Sequence, residues 1–133
     1  MKSNSQPEVQ VLLVEDSEMV RNLYSELIQN YWPEEKKLAL TTSDFENLET
    51  ITAKQKFHVY AFNIASNTAT NFQRIKDFIN TSALDKSRVI IASEVRPPDI
   101  ETEREIEIIY CQEARFTSEC INHLIEYVPT YSS

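Results

Sequence analysis

The chain has 133 residues and a formal net charge of -8 at pH 7, a length that suits one domain with its own core. Hydrophobic residues make up 41% and charged residues 26%, which fits a globular protein and argues against a disordered one. The acidic excess argues against a nucleic-acid surface, which needs clustered Lys and Arg. No apolar run approaches the roughly 18 residues that a membrane span requires.

The two ends of the chain are predicted to be tails, and the cysteines are predicted to be free and buried. Residues 1–8 are expected to be a disordered N-terminal tail, residues 9–128 one folded domain, and residues 129–133 a C-terminal tail or the start of a linker to an output domain. The polar N-terminus does not resemble a signal peptide. Cys111 and Cys120 follow no metal or redox spacing, so we expect buried apolar side chains in a reduced, cytoplasmic protein.

The first half of the chain predicts two strand–helix units. Residues 11–14 form a continuous apolar run, typical of a strand covered on both faces. Ser17 is a candidate N-cap for the next helix, which has apolar residues at helical spacing, Val20, Leu23 and Leu27. Residues 38–41 alternate like a short strand, and residues 43–46 match a capping box before a second helix.

The second half predicts three further strands. Residues 59–62 and 89–92 are continuous apolar runs, and the helix between them is lined by Phe72, Ile75, Phe78 and Ile79. Around residues 99–107, a helix would place Glu101 beside Glu105 and Glu103 beside Glu107, so it should be only a turn or two long. We expect a strand from about Glu105, with Ile106 and Ile108 inward, and a last helix opened by Ser118.

Five strands alternating with about five helices, the fourth short or irregular, indicate a doubly wound α/β fold with a parallel sheet. The three continuous runs belong in the middle and the two alternating strands at the edges. The order 2-1-3-4-5 satisfies this and is flavodoxin-like. In such a sheet the site lies at the carboxyl ends of the strands, which here carry Glu15, Asp16, Asn63, Ser93 and whatever residue follows the fifth strand.

The chain contains no glycine, which restricts its tight turns. Turns that need a positive φ are expected at Asn or Asp, which tolerate the left-handed region best after Gly, or at strained residues.

Residues 11–17, VLLVEDS, resemble the first strand of response-regulator receiver domains with the acidic pair that follows it. The likeness extends over about residues 9–128, mainly through spacing and element order. It implies that Glu15 and Asp16 match the pair that helps hold Mg²⁺, that Asn63 stands at the phospho-accepting aspartate, and that Ser93 matches the hydroxyl that contacts the phosphoryl group.

Other positions of that family are changed. With Phe116 aligned to the family's aromatic residue, the place of its lysine is taken by Ala114 and that of its proline by Arg115. In the loop after the third strand, Asn67 and Asn71 stand for a proline and a glycine, and Asn71 would suit a positive φ.

An amide at position 63 offers no anionic oxygen to attack phosphorus, so the resemblance implies a degenerate pseudo-receiver that is not an enzyme. Its expected function is phosphorylation-independent protein–protein interaction in signal transduction. Glu15 and Asp16 could still hold Mg²⁺ weakly, or could simply cap the first helix. The alternative function is a Mg²⁺-dependent receiver with a non-standard acceptor, such as Ser66, Ser93 or a deamidated Asn63.

Acidic residues are concentrated near the C-terminus. From Glu94 onward nine acids face three arginines, a net charge of -6. In receiver domains the face formed by helix four, strand five and helix five carries output, often through dimerisation. The resemblance therefore implies a protein partner with a basic patch, or a homodimer through that face, with no nucleic acid and no membrane as partner.

Overall fold

The computed structural model describes residues 8–65, 68–81, 84 and 86–127. Within these residues, five strands and four α-helices alternate along most of the chain. In chain order they are β1 (Glu8–Val14), α1 (Glu18–Tyr31), β2 (Lys37–Ser43), α2 (Leu48–Lys54), β3 (Val59–Ile64), α3 (Thr68–Thr81), β4 (Arg88–Ser93), β5 (Glu107–Gln112) and α4 (Ile121–Glu126). A 3₁₀ turn (Glu113–Arg115) and a π turn (Phe116–Cys120) join β5 to α4.

All strand pairs in the sheet are parallel, and the order is β2-β1-β3-β4-β5. The flavodoxin-like fold predicted from the sequence is confirmed. The three central strands are those with continuous apolar runs, because a strand covered by helices on both faces has no solvent side to accommodate polar residues. The two strands with alternating patterns lie at the edges, as expected.

Side-chain alternation along the strands builds an apolar layer on each face of the sheet. Leu12 and Val14 of β1 point to the layer covered by α2 and α3, where Ile75 is fully buried. Leu13 points to the opposite layer, covered by α1 and α4, where Leu124 is fully buried. The two layers hold the sheet between helices and leave its carboxyl edge open for polar side chains.

The helix expected around residues 99–107 is absent: residues 94–106 contain no helix in the structure. Glutamates four residues apart would repel one another in a helix, and the adjacent Pro97 and Pro98 disfavour helical backbone nearby. The segment is held instead by the buried Ile100, whose N–H donates to the Tyr110 hydroxyl at 2.8 Å. Strand β5 begins two residues later than predicted, with Ile106 and Ile108 packed against the core as expected.

One of three predicted helix starts is confirmed. Ser17 caps α1, since its Oγ accepts from the N–H of Val20 at 3.3 Å. The capping box at residues 43–46 is wrong, because β2 extends to Ser43 and Asp44 instead accepts from the N–H of Asn47 at 2.9 Å. Ser118 is also wrong as a helix start, since it lies inside the π turn that leads into α4.

Lys86 is the residue with positive φ among those that the structure describes, at 66°. Of the alternatives expected at such a position, the described turns show a strained residue and not Asn or Asp. Lys86 is held there because its N–H donates to the carbonyl of Glu105 at 3.0 Å, beside a tight turn in which Ser87 donates to Leu84. Asn71, expected to suit a positive φ, lies in helix α3.

No helix within the described ranges combines the length and the apolar character needed to cross a membrane.

Candidate functional site

The residues predicted to form a site meet at the carboxyl edge of the sheet. Glu15 and Asp16 follow β1, Asn63 is the penultimate residue of β3, and Ser93 ends β4. The parallel register places Asn63 beside Ala92, so the ends of β3 and β4 are level. The strands thus bring together residues that are up to 78 positions apart in sequence.

Asn63 lies at the centre of the site and is only 1% exposed. Its Nδ2 group donates one hydrogen bond to Oε1 of Glu15 and another to Oε2 of Glu113, the latter at 3.0 Å. Its Oδ1 is buried and has no partner in the described part of the chain. The two carboxylates fix the amide orientation, because a reversed amide would place Oδ1 against two negative oxygens.

Glu15 is a buried carboxylate whose charge is compensated by N–H donors. Its Oε2 accepts from the N–H of Ser17 at 2.7 Å, while Oε1 accepts from Asn63. Its backbone is also fixed, since its N–H donates to the carbonyl of Ser43 at 2.9 Å and its own carbonyl accepts from Arg21 at 2.6 Å. Buried carboxylates need such donors, and these donors anchor Glu15 at the start of α1.

Asp16 has a different set of partners from Glu15. Its Oδ1 accepts from the N–H of Phe45 at 3.0 Å, and its Oδ2 accepts from Nδ2 of Asn71 at 3.0 Å. Asn71 is itself buried and belongs to α3. Asp16 therefore joins the loops after β1 and β2 to the first turns of α3, a structural role that sequence reasoning had not given to Asn71.

Glu113 is the residue that follows the fifth strand, a position that the sequence placed at the site without identifying the residue. It opens the 3₁₀ turn directly after β5, and its carboxylate accepts from Asn63. Ala114, which the family alignment places at the lysine position, is exposed. Because β5 is parallel to β4 and ends at the same edge, the first residue after it was a candidate for the site on topology alone.

An aromatic contact holds the Glu113 turn against α1. The rings of Tyr24 and Phe116 stack with centroids 3.9 Å apart. Burial, followed by the negative charges of Glu113 and Glu15, raises the pKa of Tyr24 to about 12. A hydrogen bond from Tyr24 to Glu113 acts in the same direction, so the Tyr24 hydroxyl stays protonated beside the carboxylate pair.

Ser93 is buried and directs its hydroxyl toward its own loop. Its Oγ donates to the carbonyl of Val95 at 2.6 Å. Ser66, the other serine considered as an acceptor, and Asn67 lie outside the described residues. Of the two serines considered as acceptors, the structure therefore describes Ser93 alone, and the hydrogen of its hydroxyl is already used.

The acid pair, as arranged, does not fit a resident Mg²⁺. Mg²⁺ takes oxygen ligands in near-octahedral geometry, whereas each carboxylate oxygen of Glu15 and Asp16 already accepts an N–H. The Asn63 group that faces Glu15 is an NH₂ group, which donates and cannot ligate. Among the described residues, no cluster of three or more His, Cys, Asp or Glu side chains could hold a metal ion. Weak binding at Glu15 and Asp16 stays a prediction.

Comparison of the chain with protein-family models and with curated proteins gives no match in either case. The resemblance to receiver domains therefore stays a prediction from the residues quoted above.

Proposed function

We propose that the chain is a receiver-like module of signal transduction that binds a protein partner in the cytoplasm and does not depend on phosphorylation. The single observation that carries this proposal is the hydrogen bonding of Asn63, whose buried amide bridges the carboxylates of Glu15 and Glu113. A neutral amide fills the position from which an anionic oxygen would have to attack phosphorus.

The charge around Asn63 also disfavours phosphoryl transfer. Glu113 adds a negative charge beside the amide, where an incoming phosphoryl group would require positive charge. The family resemblance implies a lysine after the fifth strand, and in this chain the side chain that reaches Asn63 from there is an acid. Repulsion of a phosphoryl donor supports a site without catalytic function, so the protein is proposed not to be an enzyme.

The same hydrogen bonds favour one fixed arrangement of the loops. Asn63 joins β3 to the start of α1 through Glu15 and to the turn after β5 through Glu113. Hydrogen bonds to charged groups contribute roughly 1.5–3 kcal/mol each, so the bridge resists rearrangement of these loops. We infer a module that presents its binding surface constitutively, since a fixed site leaves no phosphate-driven switch.

The surface proposed for the partner is the acidic segment, residues 94–107, between β4 and β5. Glu101, Glu103 and Glu105 are exposed and form no ion pair with the part of the chain that the structure describes. Val95, at the start of the segment, is 75% exposed. Unpaired carboxylates beside an exposed apolar side chain fit a basic protein surface with an apolar contact, and they disfavour nucleic acid.

The chemical part of the proposal is tested by incubating the whole chain with acetyl phosphate, or with beryllofluoride, and Mg²⁺. Intact mass and ¹⁵N NMR should show no adduct and no shift at Asn63. A stoichiometric phosphoryl adduct would support the alternative, a Mg²⁺-dependent receiver with a non-standard acceptor, and would overturn the proposal. Fragment mass spectra would then decide between Ser66, Ser93 and a deamidated Asn63.

The binding surface is tested by NMR titration with a lysine-rich peptide at two salt concentrations. Shifts should concentrate at residues 94–107 and fade as salt rises, because exposed charges are screened within about 10 Å at 0.1 M salt. Glu103→Gln/Glu105→Gln is the loss-of-charge variant, and Glu34→Gln/Glu35→Gln, in the loop between α1 and β2, is the control that removes the same number of charges. Equal effects of the two variants would contradict the assignment, and self-association of the chain through this face would indicate a homodimer instead.

A further inference from the structure

The two cysteines meet in the apolar layer between the sheet and α4. Cys111 belongs to β5, and Cys120 is the last residue of the π turn before α4. Both are buried and free, and both lie in the same apolar cluster as Phe116. Each thiol affects the pKa of the other, in keeping with their places in this cluster. Nine positions apart in sequence, they form a dithiol through the fold of the chain.

The two thiols differ in access to solvent. Cys111 is 7% exposed and lines a surface pocket together with Arg96, Tyr110, Gln112 and Glu119. Cys120 is 1% exposed and is not among the residues that line this pocket. The guanidinium of Arg96 lies 4.3 Å from the centre of the Tyr110 ring and pairs with Asp99 at 2.7 Å. A small molecule that enters this pocket therefore meets Cys111 first.

The two thiols also differ in acidity. The neighbouring Cys120 thiol lowers the pKa of Cys111, although burial and the charge of Glu119 act in the opposite direction. The Cys111 thiol, with burial, raises the pKa of Cys120. Because the thiolate is the nucleophile, Cys111 is the thiol suited to react first and Cys120 the thiol suited to follow.

We propose that Cys111 and Cys120 form a reversible thiol–disulfide pair that small hydroperoxides oxidise. The Cys111 thiolate attacks the terminal peroxide oxygen, an S–O bond forms, the O–O bond breaks, and hydroxide leaves, or an alkoxide if the hydroperoxide is organic. Cys120 then attacks the sulfenic sulfur, the S–S bond forms, and the S–O bond breaks as the departing hydroxide takes the Cys120 proton to become water. Two electrons pass from the thiols to the peroxide. Such pairs in reducing compartments are usually transient and redox-sensing.

The disulfide would close the segment that carries Glu113. Residues 112–119 lie between the two cysteines and contain both Glu113, which binds Asn63, and Phe116, which stacks on Tyr24. Oxidation should therefore restrain the turn that completes the site. This inference does not rest on the proposed function, because the thiol chemistry is independent of phosphorylation and of any partner.

The test treats the whole chain with hydrogen peroxide, followed by alkylation of the remaining thiols and non-reducing trypsin digestion. Cleavage after Arg104 and Arg115 separates the cysteines, so a disulfide links peptide 105–115 to peptide 116–133. The expected result is this linked pair, with loss of both alkylation sites and recovery of both after reduction. Intermolecular dimers, or sulfinic acid without the linked pair, would overturn the proposal.

Single variants assign the order of the two steps. In Cys120→Ser, dimedone should trap a sulfenic acid at Cys111, whereas Cys111→Ser should leave Cys120 largely unoxidised over the same time. Trapping at Cys120 at an equal rate would overturn the assigned order. In the wild-type chain, the Asn63 side-chain amide resonances should shift on oxidation, and unchanged resonances in the linked protein would overturn the coupling to the site.

Discussion

The ring of Tyr24 lies on the ring of Phe116, with centroids 3.9 Å apart and planes only 7° from parallel. Tyr24 belongs to α1 and Phe116 opens the π turn, so the stack joins the helix after β1 to the segment after β5. An aromatic pair of this kind contributes about 0.5–1.5 kcal/mol beyond the area that it buries. The position of Glu113 against Asn63 thus depends on a contact made two turns of helix away from the acid pair.

The Tyr24 hydroxyl should lose its proton at a higher pH than an ordinary tyrosine does. Burial and then the charges of Glu113 and Glu15 raise its pKa to about 12, whereas an ordinary tyrosine titrates near 10. The folded state keeps a proton that the unfolded state releases, so the contribution to stability is complete below about pH 10 and is lost as the pH rises toward 12. When tyrosinate absorbance is followed as the pH is raised, one tyrosine should ionise near pH 12, and Tyr24→Phe should remove that step. Loss of a component near pH 10 instead would contradict the contact with Glu113.

Asn63→Asp should destabilise the folded chain. The change replaces the donor of two hydrogen bonds with a third carboxylate beside Glu15 and Glu113. We expect a loss of about 2–4 kcal/mol at pH 7, which shrinks as the pH falls because close carboxylates share protons. Urea unfolding at pH 7 and pH 5 measures both effects. The double variant Asn63→Asp/Glu113→Gln, which removes the added charge, should recover part of the lost stability. If Asn63→Asp is as stable as the wild type, the hydrogen bonds from Asn63 to Glu15 and Glu113 do not stabilise the fold.

The sheet could be predicted because its signal is local. Residues 11–14, 59–62 and 89–92 are apolar without interruption, which only strands buried on both faces require, and this alone fixes the middle of the sheet. The helix boundaries could not be predicted as well. The capping box at residues 43–46 is a local preference that β2 overrides, since Ser43 pairs with Val14 in the sheet.

The residues of the site likewise fall into those that the sequence could predict and those that it could not. Glu15 and Asn63 follow from the rule that sites lie at the carboxyl ends of parallel strands, and their hydrogen bond agrees with it. The same rule points to the residue after the fifth strand, but it does not identify Glu113, because that depends on where β5 ends. The role of Asn71 did not follow from the rule. Glu113 reads as one more acid in an acidic stretch, and Asn71 reads as a turn residue until α3 is known to start before it.

Ser17→Ala should reduce the free energy of unfolding more than Ser118→Ala does, although both serines lie near the start of a helix. Ser17 accepts a hydrogen bond from Val20 at the start of α1, and loss of an N-cap costs about 1 kcal/mol. Ser118 is exposed inside the π turn, so its replacement should change stability by less than about 0.5 kcal/mol. Urea unfolding of the two variants under one condition gives the comparison. Equal losses would indicate that Ser118 caps the last helix in solution.

The position of the missing lysine can be tested by restoring it. Because Glu113 reaches Asn63 and Ala114 is exposed, Asn63→Asp/Glu113→Lys should place a cation beside the new aspartate, whereas Asn63→Asp/Ala114→Lys should not. With acetyl phosphate and Mg²⁺, the first variant should form an acyl phosphate faster than the second, on the order of 100-fold, the effect of one well-placed charge donor. Intact mass over time measures both rates, with the wild-type chain as the unreactive control. A faster reaction of the Ala114→Lys variant would show that the side chain facing position 63 is residue 114, and it would remove the charge argument on which the loss of phosphoryl transfer depends.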